Sequence, residues 1–177
     1  MTSASFTDES ATVTHQSLDQ LHIRPLKHTD REPIRQLLIQ TDVFTSQEID
    51  IALELVDVVL NNPGQRDYLI NVYEDSGEVL GYYCVGPTPA TEATYDLYWI
   101  AAKPSVQGSG IGSALDAHAL DLVRSMGGRL VIAETSSQPK YDKTRKFYIA
   151  RGYTEVARIA NYYRRNDDLV VYGKYLS

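Results

Sequence analysis

The sequence has little of what disulfide-bonded, membrane-spanning or nucleic-acid-binding proteins depend on. It contains one cysteine, Cys84, which excludes an intramolecular disulfide framework and favours a reducing compartment. No apolar run approaches the roughly 20 residues of a membrane span. Acidic residues outnumber basic ones by 23 to 17, and the net charge of −6 argues against nucleic acid or an anionic membrane as a partner. We therefore expect a soluble, cytoplasmic protein.

Familiar metal-binding and nucleophile patterns are missing too. The four histidines and the cysteine show no metal-ligand spacing, so no metal is predicted. No G-x-S-x-G sequence marks a nucleophilic serine. His118 lies on the apolar face of a predicted helix, and we interpret it as a hydrogen-bonded core histidine rather than a base.

What is present predicts one α/β domain. Residues 1–17 are small, polar and unpatterned, which predicts a mobile tail, and residues 18–177 form the single domain. Capping-box signatures at Thr29/Glu32 and Thr45/Glu48 predict two early helices. The pattern further predicts strands at 21–26, 67–74, 78–86, 94–102, 129–134, 153–159 and 168–176, and helices at 111–126 and 146–152.

A glycine-rich segment, QGSGIG at 107–112, lies between a predicted strand and the first turn of a predicted helix. Unpaired backbone N–H groups and the helix dipole meet at such a point and favour an anion such as a diphosphate. A dinucleotide fingerprint needs glycine where Ser113 stands, and a P-loop needs a Lys-Ser/Thr pair that does not follow Gly112. Taken alone, the segment is also compatible with a flexible linker.

A second motif, FYIARGY, places Tyr148 41 residues after Gln107. The order QxxGxG, helix, strand, FYxxxGY resembles the GNAT superfamily of N-acetyltransferases, which use acetyl-CoA, and the resemblance covers roughly residues 20–177. It implies a mixed, largely antiparallel twisted sheet with about four flanking helices. It further implies that one parallel strand pair of this sheet is splayed at the coenzyme site.

The resemblance also implies which residues meet the coenzyme. The pantetheine arm would pair with main-chain groups in the gap between the splayed strands, where N–H groups near Ile100 could polarise the thioester carbonyl. The diphosphate would lie over the glycine loop, and Thr144 and Phe147, close to Tyr148 in the sequence, would face the coenzyme. The expected coenzyme-binding residues are Trp99, Ile100, Ala101, Gln107, Gly108, Ser109, Gly110, Ile111, Gly112, Ser113, Thr144 and Phe147.

The same resemblance assigns catalytic roles. Tyr148 matches the tyrosine that protonates the leaving thiolate, and a phenol with a pKa of about 10 is protonated at neutral pH. Glu134 or Asp96 would act as base, or hold the substrate ammonium; each could instead be a solvated or ion-paired carboxylate. Strand alternation places Asp96, Tyr98 and Ile100 on one face.

The predicted acceptor site is lined by Phe44, Tyr98, Ser136, Tyr141 and Tyr162. An aromatic, acidic rim of Tyr162, Tyr163, Asp167 and Asp168 would attract a cationic amine, although these tyrosines could equally pack against each other or in a homodimer. Tyr141 and Thr144 stand where many relatives carry asparagine and alanine. The expected function is direct acetyl transfer to a primary amine of a small molecule, amino acid or peptide. The alternatives are a non-catalytic acyl-CoA sensor and an acetyltransferase of protein N-termini or lysines.

Overall fold

The computed structural model describes residues 21–176, so the tail predicted for residues 1–17 lies outside the described residues. No helix in the described part of the chain is both long enough and apolar enough to cross a membrane. The helices are α1 (Arg31–Gln40), α2 (Ser46–Asn61), α3 (Ile111–Ser125) and α4 (Asp142–Ala150). The strands are β1 (Ile23–Pro25), β2 (Leu69–Asp75), β3 (Glu78–Pro87), β4 (Thr94–Ala102), β5 (Leu130–Ser136), β6 (Thr154–Arg164) and β7 (Asp167–Tyr175).

The seven strands form one sheet in the order β1-β2-β3-β4-β5-β7-β6. Every neighbouring pair is antiparallel except β4 and β5, which are parallel and joined by the crossover helix α3. The predicted fold class, a mixed and largely antiparallel sheet with one parallel step and four helices, is confirmed.

The parallel pair separates after only three residue pairs. Pairing between β4 and β5 ends at Asp96 and Ile132. Beyond that point β4 continues to Ala102 along β3, while β5 continues to Ser136 along β7. A wedge-shaped gap therefore opens inside the sheet, toward the end of β4 from which the glycine-rich segment emerges.

Helices cover both faces of the sheet. On one face, α3 and α4 pack through residues such as Leu115, Val123 and Tyr148. On the other face, α1 and α2 pack through residues such as Leu38 and Val56. The apolar side chains at helical spacing in each helix therefore point to the sheet, as the period of 3.6 residues requires. The gap in the sheet lies between these two buried layers.

A β-bulge in β4 changes which residues share a face. Trp99 pairs with Cys84 and Leu97 pairs with Val85, so Tyr98 is an extra residue without an opposite partner. Ile100 consequently packs in the same core cluster as Leu97, on the face opposite Asp96. The prediction that Asp96, Tyr98 and Ile100 share one face is wrong for Ile100, because a bulge interrupts the two-residue period.

The two predicted helix starts differ in outcome. The Thr45 hydroxyl accepts a hydrogen bond from the Glu48 N–H at 3.2 Å, and Glu48 accepts one from the Thr45 N–H at 2.7 Å, so the capping box of α2 is confirmed. The prediction of a capping box at Thr29 and Glu32 is wrong. The chain instead enters α1 through a 3₁₀ turn at His28–Asp30, where Asp30 accepts from the Lys27 N–H at 2.7 Å.

Candidate functional site

A cleft of about 230 Å³ lies where β4 and β5 diverge. It is lined by Asp96, Leu97, Tyr98, Ile132 and Glu134. The two carboxylates that the sequence marked as candidate bases therefore line one cavity, one from each splayed strand. Their convergence follows from the short parallel pairing, which brings the two strands together at Asp96 and Ile132 before they part.

The two carboxylates have different environments. The Asp96 carboxylate accepts a hydrogen bond from the Thr88 hydroxyl at 2.7 Å, which fixes its orientation. Glu134 is partly exposed in the cleft, and partial burial together with the negative charge of Asp96 raises its pKa above the usual range. A raised pKa brings a carboxylate closer to the operating pH, as general-base catalysis requires.

Aromatic side chains pack on and beside β4, the strand that forms one wall of this cleft. Tyr98 is 37% exposed and meets the Tyr68 ring edge-on at 5.3 Å. Burial and the nearby Asp96 charge raise the pKa of Tyr98 to about 12, so its phenol is protonated at neutral pH. Phe44, in the connection between α1 and α2, contacts the Trp99 ring edge-on at 5.2 Å. That contact holds the connection against β4.

A wide bulge in β6 presents two more tyrosines. Ile159 pairs with Leu169 and Arg164 pairs with Asp167, which leaves residues 160–163 looped out of the strand. The Asn161 N–H donates to Asp168 Oδ1 at 2.9 Å, and Asn161 adopts a φ of +54°. Neither the bulge nor its support was predicted from the sequence.

The looped-out segment brings Tyr163 near Glu134. Tyr162 and Tyr163 meet edge-on at 5.0 Å, and Tyr162 is 56% exposed. Burial and the negative charge of Glu134 raise the pKa of Tyr163 to about 12. This electrostatic effect places Tyr163, which was predicted only as part of an outer rim, in the field of the Glu134 carboxylate.

The acidic part of the predicted rim is not available to a ligand. Asp167 is buried and accepts hydrogen bonds from Ser136, from Gln138 at 2.9 Å and from Arg164 at 3.2 Å. Asp168 pairs with Arg158 at 3.3 Å. Both carboxylates stabilise the hairpin, so the negative charge of the cleft comes from Asp96 and Glu134 instead.

Two predicted acceptor-site hydroxyls also have partners within the protein. Ser136 Oγ donates to Asp167, and Tyr141 donates to Glu48 Oε1 at 2.8 Å. Tyr141 is buried, and its bond ties the turn before α4 to the start of α2. These residues fix the loop after β5 rather than present open donors.

The glycine-rich segment has the backbone geometry of an anion site. Gly108 and Gly110 adopt φ values of +83° and +95°, and there is open space where a side chain would project from either residue. Residues 107–110 are exposed. Gly110 precedes Ile111, the first residue of α3, and provides no side-chain cap. The first N–H groups of α3, including those of Ile111, Gly112 and Ser113, are therefore directed at this surface.

The remaining predicted coenzyme residues lie on β4 and α4. Trp99 and Ala101 pack on the α1–α2 side of β4, and their main chain borders the gap. On α4, Thr144 is half-buried, and Phe147 faces α3. A Cβ at Gly112 would lie 3.3 Å from Phe147 Cε2, so Gly112 lets these two helices pack closely. Ser109 Oγ donates to the Val106 carbonyl at 2.6 Å and shapes the loop.

Tyr148, on α4, packs in a cluster of aromatic side chains. Its side chain is 5% exposed, and its ring contacts those of Phe147 at 5.7 Å, Tyr153 at 5.4 Å and Tyr172 at 5.6 Å. Burial, followed by the negative charge of Asp116, raises the pKa of Tyr148 above that of a free phenol. The Tyr148 phenol is thus protonated at neutral pH, and its ring is held in one position.

His118 has the structural role predicted for it. Its Nδ1 lies 2.8 Å from the Tyr83 hydroxyl, which also accepts from Asn71 at 2.9 Å, and burial lowers the pKa of His118. Within residues 21–176 no cluster of three or more acidic, histidine or cysteine side chains could hold a metal ion.

Comparison with known proteins places these features in a family. Residues 32–153 match the sequence model described as the Acetyltransferase (GNAT) family. A structure from Desulfovibrio desulfuricans, assigned to the GNAT family of acetyltransferases, is 41% identical, with a TM-score of 0.83 over 88% of this chain and 98% of that chain. A search of curated proteins gave no match.

Two more distant structures share the fold. The ribosomal-protein-S18-alanine N-acetyltransferase of Escherichia coli is 22% identical, with a TM-score of 0.69 over 88% of this chain and 93% of that chain. A Salmonella typhimurium protein assigned as an acetyltransferase, solved with acetyl-CoA, is 21% identical, with a TM-score of 0.68 and the same coverage of 88% and 93%.

Proposed function

The chain belongs to the GNAT family of acetyltransferases, and from this premise we propose that it transfers the acetyl group of acetyl-CoA directly to a primary amine. The acceptor is a small molecule, an amino acid or a peptide end. The observation that carries the proposal is the cleft between the splayed strands, which is lined by Asp96 and Glu134. The glycine loop follows the end of β4, beside the open end of the gap between β4 and β5.

The residues of this chain fit acetyl-CoA. The positive φ values of Gly108 and Gly110 and the open space beside them let a diphosphate approach the first N–H groups of α3. The main chain of Trp99, Ile100 and Ala101 borders the gap, where an extended pantetheine arm would take the place of a missing strand. The coenzyme supplies a thioester, and this chain supplies its orientation.

The reaction removes two protons from the acceptor nitrogen and delivers one proton to the departing thiolate. A bond forms between the amine nitrogen and the acetyl carbon, and the carbon–sulfur bond breaks with its electron pair going to sulfur. The acceptor arrives as an ammonium, so it loses one proton before attack and another as the amide forms. We assign proton removal to Glu134, because its raised pKa makes it the better-matched base, and orientation of the ammonium to Asp96.

Tyr148 is the proposed general acid. The departing thiolate takes a proton from the phenol, and the resulting tyrosinate is reprotonated from solvent. Burial makes the neutral phenol the resting form, and ring contacts on three sides hold it in place. A positioned acid of this kind contributes roughly 10²- to 10⁴-fold to the rate.

The acceptor is proposed to be bound between aromatic walls. Tyr98 lines the cleft with the two carboxylates, and Tyr163 of the β6 bulge lies near Glu134 with Tyr162 packed against it. Phe44 supports the wall on the α1–α2 side through its contact with Trp99. Tyrosine faces and carboxylates together favour a cation. Ser136 and Tyr141 contribute shape, because their hydroxyls have partners within the protein.

The test combines thiol release with calorimetry on Tyr148→Phe and Glu134→Gln. We expect both variants to bind coenzyme A as the wild type does, and to lose roughly 10²-fold or more of kcat. A wild-type protein that binds acetyl-CoA but acetylates no amine in a broad panel would support the sensor function instead. Acetylation confined to added proteins, detected by mass spectrometry, would support a protein acetyltransferase.

A further inference from the structure

A buried aspartate on α3 has no part in the mechanism above. Asp116 is 0% exposed, which is costly for a carboxylate unless hydrogen-bond donors compensate for the lost water. Its two oxygens have separate donors: Tyr153 donates its hydroxyl proton to Oδ1 at 2.9 Å, and Arg151 Nε donates to Oδ2 at 3.0 Å. Both donors belong to the short segment that follows α4.

That segment also holds the main chain of Tyr148. The Tyr148 carbonyl accepts hydrogen bonds from the Arg151 N–H at 3.1 Å and from the Tyr153 N–H at 3.0 Å. The Tyr153 ring in addition lies 5.4 Å from the Tyr148 ring. The two residues bound to Asp116 through their side chains are thus the two that fix the backbone of Tyr148, and one of them packs on its phenol.

Asp116 also lies close to the glycine loop along α3. Asp116 lies five residues after Ile111, the first residue of α3, which corresponds to about 7.5 Å along the helix. The N–H groups proposed to hold the diphosphate and the carboxylate that holds the Tyr148 segment therefore share one short, rigid stretch of helix.

We propose that Asp116 is a positioning residue that sets Tyr148 at a fixed distance from the bound coenzyme. The inference rests on the proposed function. Asp116 touches neither substrate, and it acts through Arg151 and Tyr153. Asparagine at this position keeps one acceptor oxygen for two donors, so one hydrogen bond is lost while the side-chain volume is kept. A displacement of about 1 Å at a reacting group costs on the order of 10²-fold in rate.

The test is a double-mutant cycle of Asp116→Asn and Tyr148→Phe, with kcat and the KM for acetyl-CoA measured separately. We expect Asp116→Asn alone to lower kcat by roughly 10- to 100-fold and to change KM by less than about threefold. In the Tyr148→Phe background the same substitution should have almost no further effect, because the group it positions is already gone. If the loss of kcat in the double variant equals the product of the losses in the two single variants, the proposal is overturned.

Two further variants separate positioning from general destabilisation. Asp30→Asn is the matched control, since Asp30 is 2% exposed, binds Arg24 at 2.7 Å and 2.9 Å, and lies away from the cleft. It should lower stability and leave kcat unchanged. Tyr153→Phe removes one donor to Asp116, and it supplies the same cycle if Asp116→Asn does not fold.

The outcomes distinguish this inference from the function it rests on. Full activity of Tyr148→Phe would overturn the proposed acid and, with it, the role of Asp116. A normal loss in Tyr148→Phe combined with a multiplying loss from Asp116→Asn or Tyr153→Phe would overturn the positioning role alone.

Discussion

Replacing Gly110 with alanine tests the glycine loop most directly. Gly110 has a φ of +95°, and no atom lies within 4 Å of the position that a Cβ would take. Alanine there meets no clash, so its cost is the backbone strain of a left-handed residue, about 1–2 kcal/mol. Gly127, at the other end of α3, is a matched control with a φ of +78° and the same open space.

The two substitutions should differ only in coenzyme binding. Alanine relieves its strain by moving φ, and at Gly110 this rotates the first N–H groups of α3 away from the diphosphate. Loss of one charge-assisted hydrogen bond costs about 1.5–3 kcal/mol, which corresponds to a roughly 10- to 150-fold rise in Kd. At Gly127 the same relaxation affects only the C-terminal end of the helix.

The assay pairs calorimetric titration of coenzyme A with urea unfolding of each variant. We expect similar falls in the free energy of unfolding for Gly110→Ala and Gly127→Ala, and a raised Kd for Gly110→Ala alone. Equal changes in Kd would show that strain in α3, rather than contact with the loop, controls binding. Wild-type affinity in Gly110→Ala would refute the assignment of the diphosphate site.

Three other predictions follow from the cleft and the core. Asp96→Asn removes a negative charge that raises the pKa of Glu134. Because the base works in its deprotonated form, the acidic limb of the pH profile of kcat/KM should move to lower pH. An unchanged acidic limb would contradict the electrostatic effect of Asp96 on Glu134. Because Asp96 and Glu134 line the cleft and repel negative charge, acceptors without a carboxylate beside the amine should be preferred roughly tenfold. The measurement compares kcat/KM for glycinamide with kcat/KM for glycine, and equal values would contradict the prediction. Within residues 21–176, the buried Tyr82 hydroxyl has no hydrogen-bond partner, so Tyr82→Phe should raise the free energy of unfolding by about 1 kcal/mol, and a lower urea midpoint would contradict it.

The elements that frame the site could be predicted because their signals are local. Aromatic and β-branched residues indicated a strand at 94–102, and β4 spans Thr94–Ala102. Apolar residues at helical spacing, ended by Gly127, indicated the helix that became α3. Strand, helix and strand in close succession then predicted the parallel step. Each of these inferences needs only neighbours along the chain.

The bulges could not be predicted in this way, and they shape the wall of the proposed acceptor site. Whether Tyr98 is paired or extra depends on the register of β3, and residues 160–163 loop out because of how β7 pairs at Leu169 and Asp167. A two-residue alternation contains no information about a partner strand. The backbone elements of the proposed coenzyme site are thus predictable from motifs, whereas the wall of the proposed acceptor site depends on long-range register.

Asp116 illustrates the same limit at the level of one residue. In the sequence it is an acidic residue in an amphipathic helix, the usual composition of a solvated face. Its burial becomes understandable only with Arg151 and Tyr153, which lie 35 and 37 residues further along the chain and donate to it. A buried charge is retained against its desolvation cost only where specific donors meet it. Here those donors also bind the backbone carbonyl of Tyr148. Asp116 therefore connects the helix that follows the glycine loop to the segment that contains Tyr148, although its own sequence context did not indicate this.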